Sequence, residues 1–376
     1  MTSISRLPTP PSTPADLRIV VFSDSFRHRN GVGAYYCDLI DHLRARVAAI
    51  TLVCPGETPH GKQQGLSLPL PGDHSQKLCL PGILKAHAVV KRLQPHVIIA
   101  ASPGPYGILA ATLARLFQCR FCFGYHTQYD QLTSLYWNRI CGTLGKRYLS
   151  WLDRRFFSRS DAVFTNGRHM VDTAQQMGAR RIELIGTPID PLLLTAPVPI
   201  APRKLGPILF VGRLAPEKNI PLIIDAAKAL PHLRFILAGD GPLAKMVRHA
   251  AGELQNLEYV GWVNREKLLE LLDHHCEVLL LPSQVESFGT VAAEAMARQR
   301  LAVVSDHCGI VTWPELADGL EVVPVNTPLA PILAKLAQKP PEIRAEKRQI
   351  ALESCVRFNE KTITDWRNAL FDITST

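Results

Sequence analysis

A chain of 376 residues, 47% hydrophobic and 20% charged, has the composition of a globular protein with room for two domains, not of a disordered or low-complexity one. Nine cysteines form no paired pattern, and the lone C-x-x-C, Cys119 and Cys122, lies in an apolar run, so disulfides and zinc are disfavoured and a reducing, cytoplasmic setting is expected. The net charge of +9 is lopsided: residues 1–190 carry 22 Lys and Arg against 12 Asp and Glu, and residues 191–376 carry 20 against 21. That asymmetry points to an anionic partner for the first half, a membrane surface rather than nucleic acid, since no nucleic-acid motif is present.

The first sixteen residues, with prolines at 8, 10, 11 and 14, read as a flexible tail without the apolar core of a signal peptide. Leu17 to Ser23 is apolar enough for a buried strand. Gly31 and Gly33 follow, ahead of a helical run from Ala34 to Arg44. Glycines between strand and helix let backbone approach a phosphate, although the third glycine of a dinucleotide fingerprint is missing. Val47 to Cys54 is a second strand, and the Pro- and Gly-rich stretch 55–82 is expected to be irregular. A helix ends over Val89 to Leu93, and strands follow at Val97 to Ala101 and Phe121 to Tyr125. His126 stands at the end of the latter, where it can face a ligand cleft or hydrogen-bond within its own loop. Tyr129 and Tyr136 come next. The stretch from Arg139 to Arg159 then interleaves cations, Arg147, Arg154 and Arg155 among them, with aromatics, which suits a membrane interface or a solvated helix face. Strands at Ala162 to Thr165 and Ile182 to Ile185 close this half.

Residues 191–206, with four prolines, read as a linker. The strand Ile208 to Val211 then runs into Gly212-Arg213-Leu214-Ala215-Pro216-Glu217-Lys218-Asn219, and two cations five residues apart before a helix can clamp a diphosphate. Phe235 to Ala238 leads to Gly239-Asp240-Gly241-Pro242, and Leu257 to Gly261 precedes Trp262 and Val263. The strand Val278 to Leu281 enters Glu286-Ser287-Phe288-Gly289-Thr290 and a helix expected from about Phe288 to Arg298 that carries Glu294. Free N–H groups at its start suit an anion. Carboxylates accept paired hydrogen bonds from vicinal hydroxyls, so Glu286 and Glu294 suit a sugar and a ribose, or are a cap and a surface residue. No D-x-D occurs in the chain.

Pro282-Ser283-x-x-Glu286-Ser287-Phe288-Gly289-x-x-x-x-Glu294-Ala295-Met296-Ala297 resembles the signature of retaining glycosyltransferases of family four. The Arg213–Lys218 motif, Gly239-Asp240-Gly241-Pro242 and Gly186-x-x-x-Asp190 extend that resemblance over about residues 17–370. Asn30-Gly31-Val32 and His126-Thr127-x-Tyr129 with Tyr136 are similar to the lipid branch that includes sulfoquinovosyl-diacylglycerol synthases. The resemblance implies an α/β GT-B fold of two Rossmann-like domains with the active site between them. The acceptor domain would span 17–195, the donor domain 207–359, and a C-terminal helix, 360–376, would cross back. It implies metal-independent, retaining transfer of a hexose from a UDP- or GDP-linked donor to a diacylglycerol-type lipid, on the inner face of the membrane, with no cofactor. A polysaccharide or soluble acceptor, and a non-catalytic sugar-nucleotide-binding protein, are the other readings. His126, Arg213, Lys218 and Glu286 are the implied catalytic residues. Gly31, Gly33, Gly212, Asp240, Gly241, Trp262, Val263, Ser287, Phe288, Gly289, Thr290 and Glu294 are the implied donor-binding set. Tyr129, Tyr136, Arg147, Arg154 and Arg155 are expected to face acceptor or membrane. The chain departs from the family at Gln299-Arg300-Leu301, where Gly-x-Pro is usual, and at His307-Cys308-Gly309-Ile310, where Gly-Gly-x-x-Glu is usual.

Overall fold

The computed structural model describes residues 9–27, 31–57, 63–64, 67–70, 73–126, 151–198 and 205–375. The chain divides into two compact units, one from residues 1–71, 76–188 and 361–376, the other from 189–360 with the short piece 72–75.

In the first unit β1 (Arg18–Phe22), β2 (Ala49–Val53), β3 (Val97–Ala100), β4 (Arg120–Tyr125), β5 (Ala162–Thr165) and β6 (Ile182–Leu184) form one parallel sheet in the order 6-5-4-3-1-2. Its strands read as unbroken apolar runs because both faces are covered. Ile19 and Val21 of β1 pack with Tyr35, Tyr36 and Leu39 of α1 (Gly31–Leu43) and with Trp366 and Leu370 near the C-terminus. Val20 and Phe22 face the other way, toward α2 (Ile83–Leu93), α3 (Pro105–Phe117) and Leu152, Phe156 and Phe157 of the helical residues 151–159. The helix α4 (Arg168–Gln176) joins β5 to β6.

The second unit repeats the plan with β7 (Ile208–Val211), β8 (Phe235–Ala238), β9 (Leu257–Gly261), β10 (Val278–Leu281), β11 (Leu301–Ser305) and β12 (Leu320–Val323), parallel in the order 9-8-7-10-11-12. Its longer helices are α5 (Ile220–Ala229), α6 (Ala244–Glu253), α7 (Arg265–His274), α8 (Thr290–Ala297), α9 (Leu329–Gln338) and the first part of α10 (Pro341–Ser375), whose residues from 361 onward belong to the first unit. Chain order reverses between β1 and β3 in one sheet and between β7 and β10 in the other. Open α/β sheets bind ligands at the C-terminal strand ends beside such a reversal.

Three expectations need correction. The stretch 55–82 is not irregular throughout: Gly56–Glu57 pairs antiparallel with Gln63–Gln64, and Ser67–Leu70 forms a two-stranded sheet with Asp73–Cys79. The end of the proline-rich tail is ordered as a 3-10 turn, Pro14–Asp16, because the Thr13 amide and hydroxyl both donate to the Asp16 carboxylate at 2.9 Å. The described residues of 191–206 are a fastened strap of the second unit. Pro191–Leu194 is a 3-10 turn capped by Asp190, whose carboxylate accepts from the Leu192 amide. Arg298 donates to the carbonyls of Leu193, Thr195 and Ala196, and Arg300 to that of Val198. Glu277, itself paired with Arg344 and Arg348, accepts from the Gly206 amide at 2.6 Å. The departure at 299–301 keeps a left-handed turn, with Gln299 at φ +58°, and its Arg300 joins Arg298 in clamping the strap's backbone. Tyr129, Tyr136 and Arg147 lie outside the described residues.

Candidate active site

In the second unit the loops after β7 and β8 lie backbone against backbone. Gly239 and Gly241 adopt φ of +143° and +152°, and a Cβ on Gly239 would stand 1.8 Å from the Gly212 oxygen. Only glycine fits there. The Leu214 amide donates to the Asp240 carbonyl at 2.9 Å, and the exposed Asp240 carboxylate accepts from the Gly241 amide. Asp240, Gly241 and Gly212 therefore shape the loop that presents Arg213.

Arg213, partly exposed, pairs with Glu217, which is only 1% exposed. Lys218 ends the 3-10 turn Pro216–Lys218 and pairs with Glu286. The Gln284 amide donates to the Glu217 carbonyl at 2.8 Å, which ties the loop after β7 to the loop after β10. The two strands flanking the reversal in chain order thus bring Arg213, Lys218 and Glu286 together, each cation already facing a carboxylate.

Beyond Glu286 the chain turns through Gly289, at φ +99°, into α8, which starts at Thr290 rather than near Phe288. The turn is pinned from behind: the Gly309 amide donates to the Glu286 carbonyl at 2.9 Å and the Ile310 amide to the Phe288 carbonyl at 2.7 Å. The departure at 307–310 keeps the glycine that this approach requires. Cys308 before it points its thiol to the Leu281 carbonyl and the Ser305 hydroxyl, each 3.5 Å away. Burial, reinforced by the nearby Glu286, pushes that thiol up to about 12, so it stays neutral. His307 lies 3.0 Å from the Gln284 carbonyl through Nδ1.

Other expected donor-binding residues hold different positions. Phe288 is a core side chain stacked on Phe358 at 5.8 Å, so its side chain packs and only its backbone lies in the turn. Ser287 and Thr290 are partly exposed on either side. Trp262 is 56% exposed, with Val263 half-buried beside it. Glu294 is 3% exposed and pairs with Arg265, which also meets Asp190 at 3.3 Å.

In the first unit Gly31 and Gly33 form the first turn of α1 instead of a loop ahead of it. His126 is buried at the end of β4. Its Nε2 is 3.0 Å from the Tyr36 hydroxyl, and its ring lies 4.2 Å from that of Tyr35. Burial pushes this imidazole down to about 4, against a smaller opposing effect of a hydrogen bond with Asn166, so the ring is neutral at neutral pH. Gly124 makes room for the pair, since a Cβ there would overlap the Tyr36 hydroxyl. Beside the reversal between β1 and β3, Asp24 accepts from the Ser102 hydroxyl at 2.7 Å and from the Gly104 and Tyr106 amides at the start of α3. Burial raises its pKa in spite of those bonds. Arg154 and Arg155 are exposed, and the Arg155 guanidinium lies 4.8 Å over the ring of Trp151, itself 52% exposed.

Sequence reasoning missed Glu217, Arg265 and Asp24. Glu217, between Pro216 and Lys218, looks like a solvated loop charge. Arg265 is one of several charges on an amphipathic helix. Asp24 had one signal, its place at the end of the first strand. Among the described residues no group of three or more His, Cys, Asp or Glu could hold a metal ion, and no helix is long and apolar enough to cross a membrane.

The fold and site define a two-unit α/β protein with paired cations at the switch point of its second sheet. Residues 29–192 match the family model Glycosyltransferase Family 4, and residues 201–315 match Glycosyl transferases group 1. Each unit thus matches a glycosyltransferase family model over most of its length, and the fold is the GT-B fold of the chain's structural neighbours. The uncharacterized glycosyltransferase YqgM of Bacillus subtilis is 26% identical over 183 residues, 46% of this chain and 50% of that protein. The chain spans half or less of the length of the first curated relatives it matches. Among solved structures, sucrose-phosphate synthase from Thermosynechococcus elongatus has a TM-score of 0.72 at 17% identity, covering 94% of this chain and 98% of that one. Anabaena Alr3699/HepE in complex with UDP-glucose has a TM-score of 0.63 at 15% identity, covering 95% and 99%.

Proposed function

We propose that the protein transfers a sugar, with retention and without a metal ion, from a nucleotide-sugar donor to a membrane lipid, as in the lipid glycosyltransferase branch its motifs resemble. The donor half is carried by one observation: Arg213, Lys218 and Glu286 converge where the chain order of the second sheet reverses. The UDP-glucose complex of a protein with this fold supports the donor class. Arg213, Lys218 and the amides at the start of α8 stabilise the departing diphosphate as its charge develops. Glu286 orients sugar hydroxyls once Lys218 turns to phosphate, and Glu294 holds the ribose. A neutral His126 serves as a hydrogen-bonding group, not as a proton carrier. The leaving phosphate oxygen takes the acceptor hydroxyl's proton, so no separate base is required. The fixed cations do what a divalent ion does elsewhere.

The lipid half rests on the surface of residues 151–159. Leu152, Phe156 and Phe157 point into the core, and Trp151, Arg154, Arg155 and Arg159 point out. A cation stacked on an exposed indole suits the headgroup level of an anionic membrane. The test is a panel of UDP- and GDP-sugars with anionic vesicles containing diacylglycerol, the products read by mass spectrometry. A glycosylated lipid is expected. Product formed only on soluble saccharides would overturn the lipid acceptor, and the absence of both transfer and donor hydrolysis would overturn the enzyme.

A further inference from the structure

We propose that Arg265, held by Asp190, is the positioning residue that fixes Glu294 for the nucleotide ribose; this rests on the donor reading above. Three segments meet at the guanidinium. Arg265 stands at the first position of α7, set there by Asn264, whose side chain accepts from the Lys267 amide at 2.9 Å. Asp190 places one carboxylate oxygen on the Leu192 amide at 2.8 Å and the other 3.3 Å from Arg265 Nε. Arg265 Nη1 then takes Glu294 Oε1. All three side chains are at most 13% exposed, so the chain of charges is held in a weakly screened setting. A carboxylate gripped at one oxygen offers the other to a hydroxyl in a fixed direction, as an acceptor. Arg265 thereby acts on the ribose through Glu294.

The test uses the full chain and compares the affinities of UDP and GDP with those of their 2′-deoxy forms by calorimetry. In the parent the ribose form should bind about ten- to a hundredfold tighter, the worth of a hydrogen bond to a charged acceptor. Arg265→Gln should cut that preference to within about threefold, Arg265→Lys should restore part of it, and Asp190→Asn should give an intermediate value. A parent that binds neither nucleotide, or Glu294→Gln with an unchanged preference, overturns the donor reading and this inference with it. A preference lost in Glu294→Gln but intact in both Arg265→Gln and Asp190→Asn overturns the positioning role alone. A fold defect in Arg265→Gln shows as weaker binding of both sugar forms at an unchanged ratio, which also counts against it.

Discussion

Gly309→Ala tests whether the candidate active-site turn depends on backbone contact. The new Cβ would lie 1.9 Å from the Ser287 oxygen, 2.6 Å from the Ser287 carbonyl carbon and 3.1 Å from the Phe288 Cα. Every one of these neighbours is main chain, so no side-chain rotation relieves the overlap. The loops must part, at the expense of the Gly309–Glu286 and Ile310–Phe288 hydrogen bonds. Two backbone bonds at about 1 kcal/mol each, with overpacking of about 1–3 kcal/mol, give a loss of roughly 3–5 kcal/mol. For a unit of this size each kcal/mol lowers the melting temperature by about 2–4 °C, so the second unit should melt roughly 6–20 °C earlier. Glu286 moves with Ser287, and turnover should fall with it. Gly252→Ala is the control: it lies in α6 with nothing within 4 Å of the added methyl, and alanine there should be neutral or stabilising by up to about 1 kcal/mol. Thermal unfolding followed by circular dichroism, with turnover on the same samples, decides the matter. A Gly309→Ala protein that melts within about 2 °C of the parent at normal turnover would refute the close-approach account.

Lys218→Ala should lower turnover by about a hundredfold with little change in melting temperature, since it removes fixed charge from the developing diphosphate; near-normal turnover would remove Lys218 from the clamp. Arg213→Ala should match that loss of turnover and also cost stability, because Glu217 beneath it is buried. Activity should survive a strong chelator, and a loss reversed by magnesium or manganese would contradict the metal-free proposal. His126, depressed to about 4 from the ordinary 6.5, takes up its proton more readily in the unfolded chain between those values. Its contribution to stability is therefore complete above about pH 6.5, declines as pH falls toward 4, and declines no further below that. His126→Gln should flatten the stability profile in this window by up to one proton, about 1.4 kcal/mol per pH unit, and an unchanged slope would show that the ring titrates normally.

The strands were legible because a parallel strand covered on both faces is apolar at every position, as Val278 to Leu281 shows. The loops carrying Arg213, Lys218 and Glu286 were legible because the motif residues sit next to those strand ends. What lay out of reach was direction and distant pairing. Spacing put Glu294 on a helix but not against Arg265, which is 29 residues away. Phe288 read as a ligand residue because it lies inside the matched motif, yet its ring packs on Phe358 from a distant helix. Helix α1 started earlier than expected because a helix's first turn tolerates glycine, where the amides lack intrahelical partners in any case. In the sequence Arg298 is only the end of a helix and Arg300 only part of a departure from the family motif. They are 2% and 0% exposed because their partners include carbonyls about a hundred residues upstream, and no local pattern announces that.

That strap decides where the chain can be cut. Composition invites a boundary at Pro207, after the last proline of the apparent linker. A fragment starting there would strip Arg298 of every acceptor except Asp273, and Arg300 of the Val198 carbonyl. Hydrogen bonds from a charged group are worth about 1.5–3 kcal/mol each, so the fragment would forfeit much of the 5–15 kcal/mol or so that holds an ordinary domain together. A donor unit made alone, or exchanged with a relative to change its nucleotide or sugar, has to carry the segment from Ile189 onward. Leu193 to Val198, in the stretch that looks most expendable in the sequence, travel with the arginines that hold them.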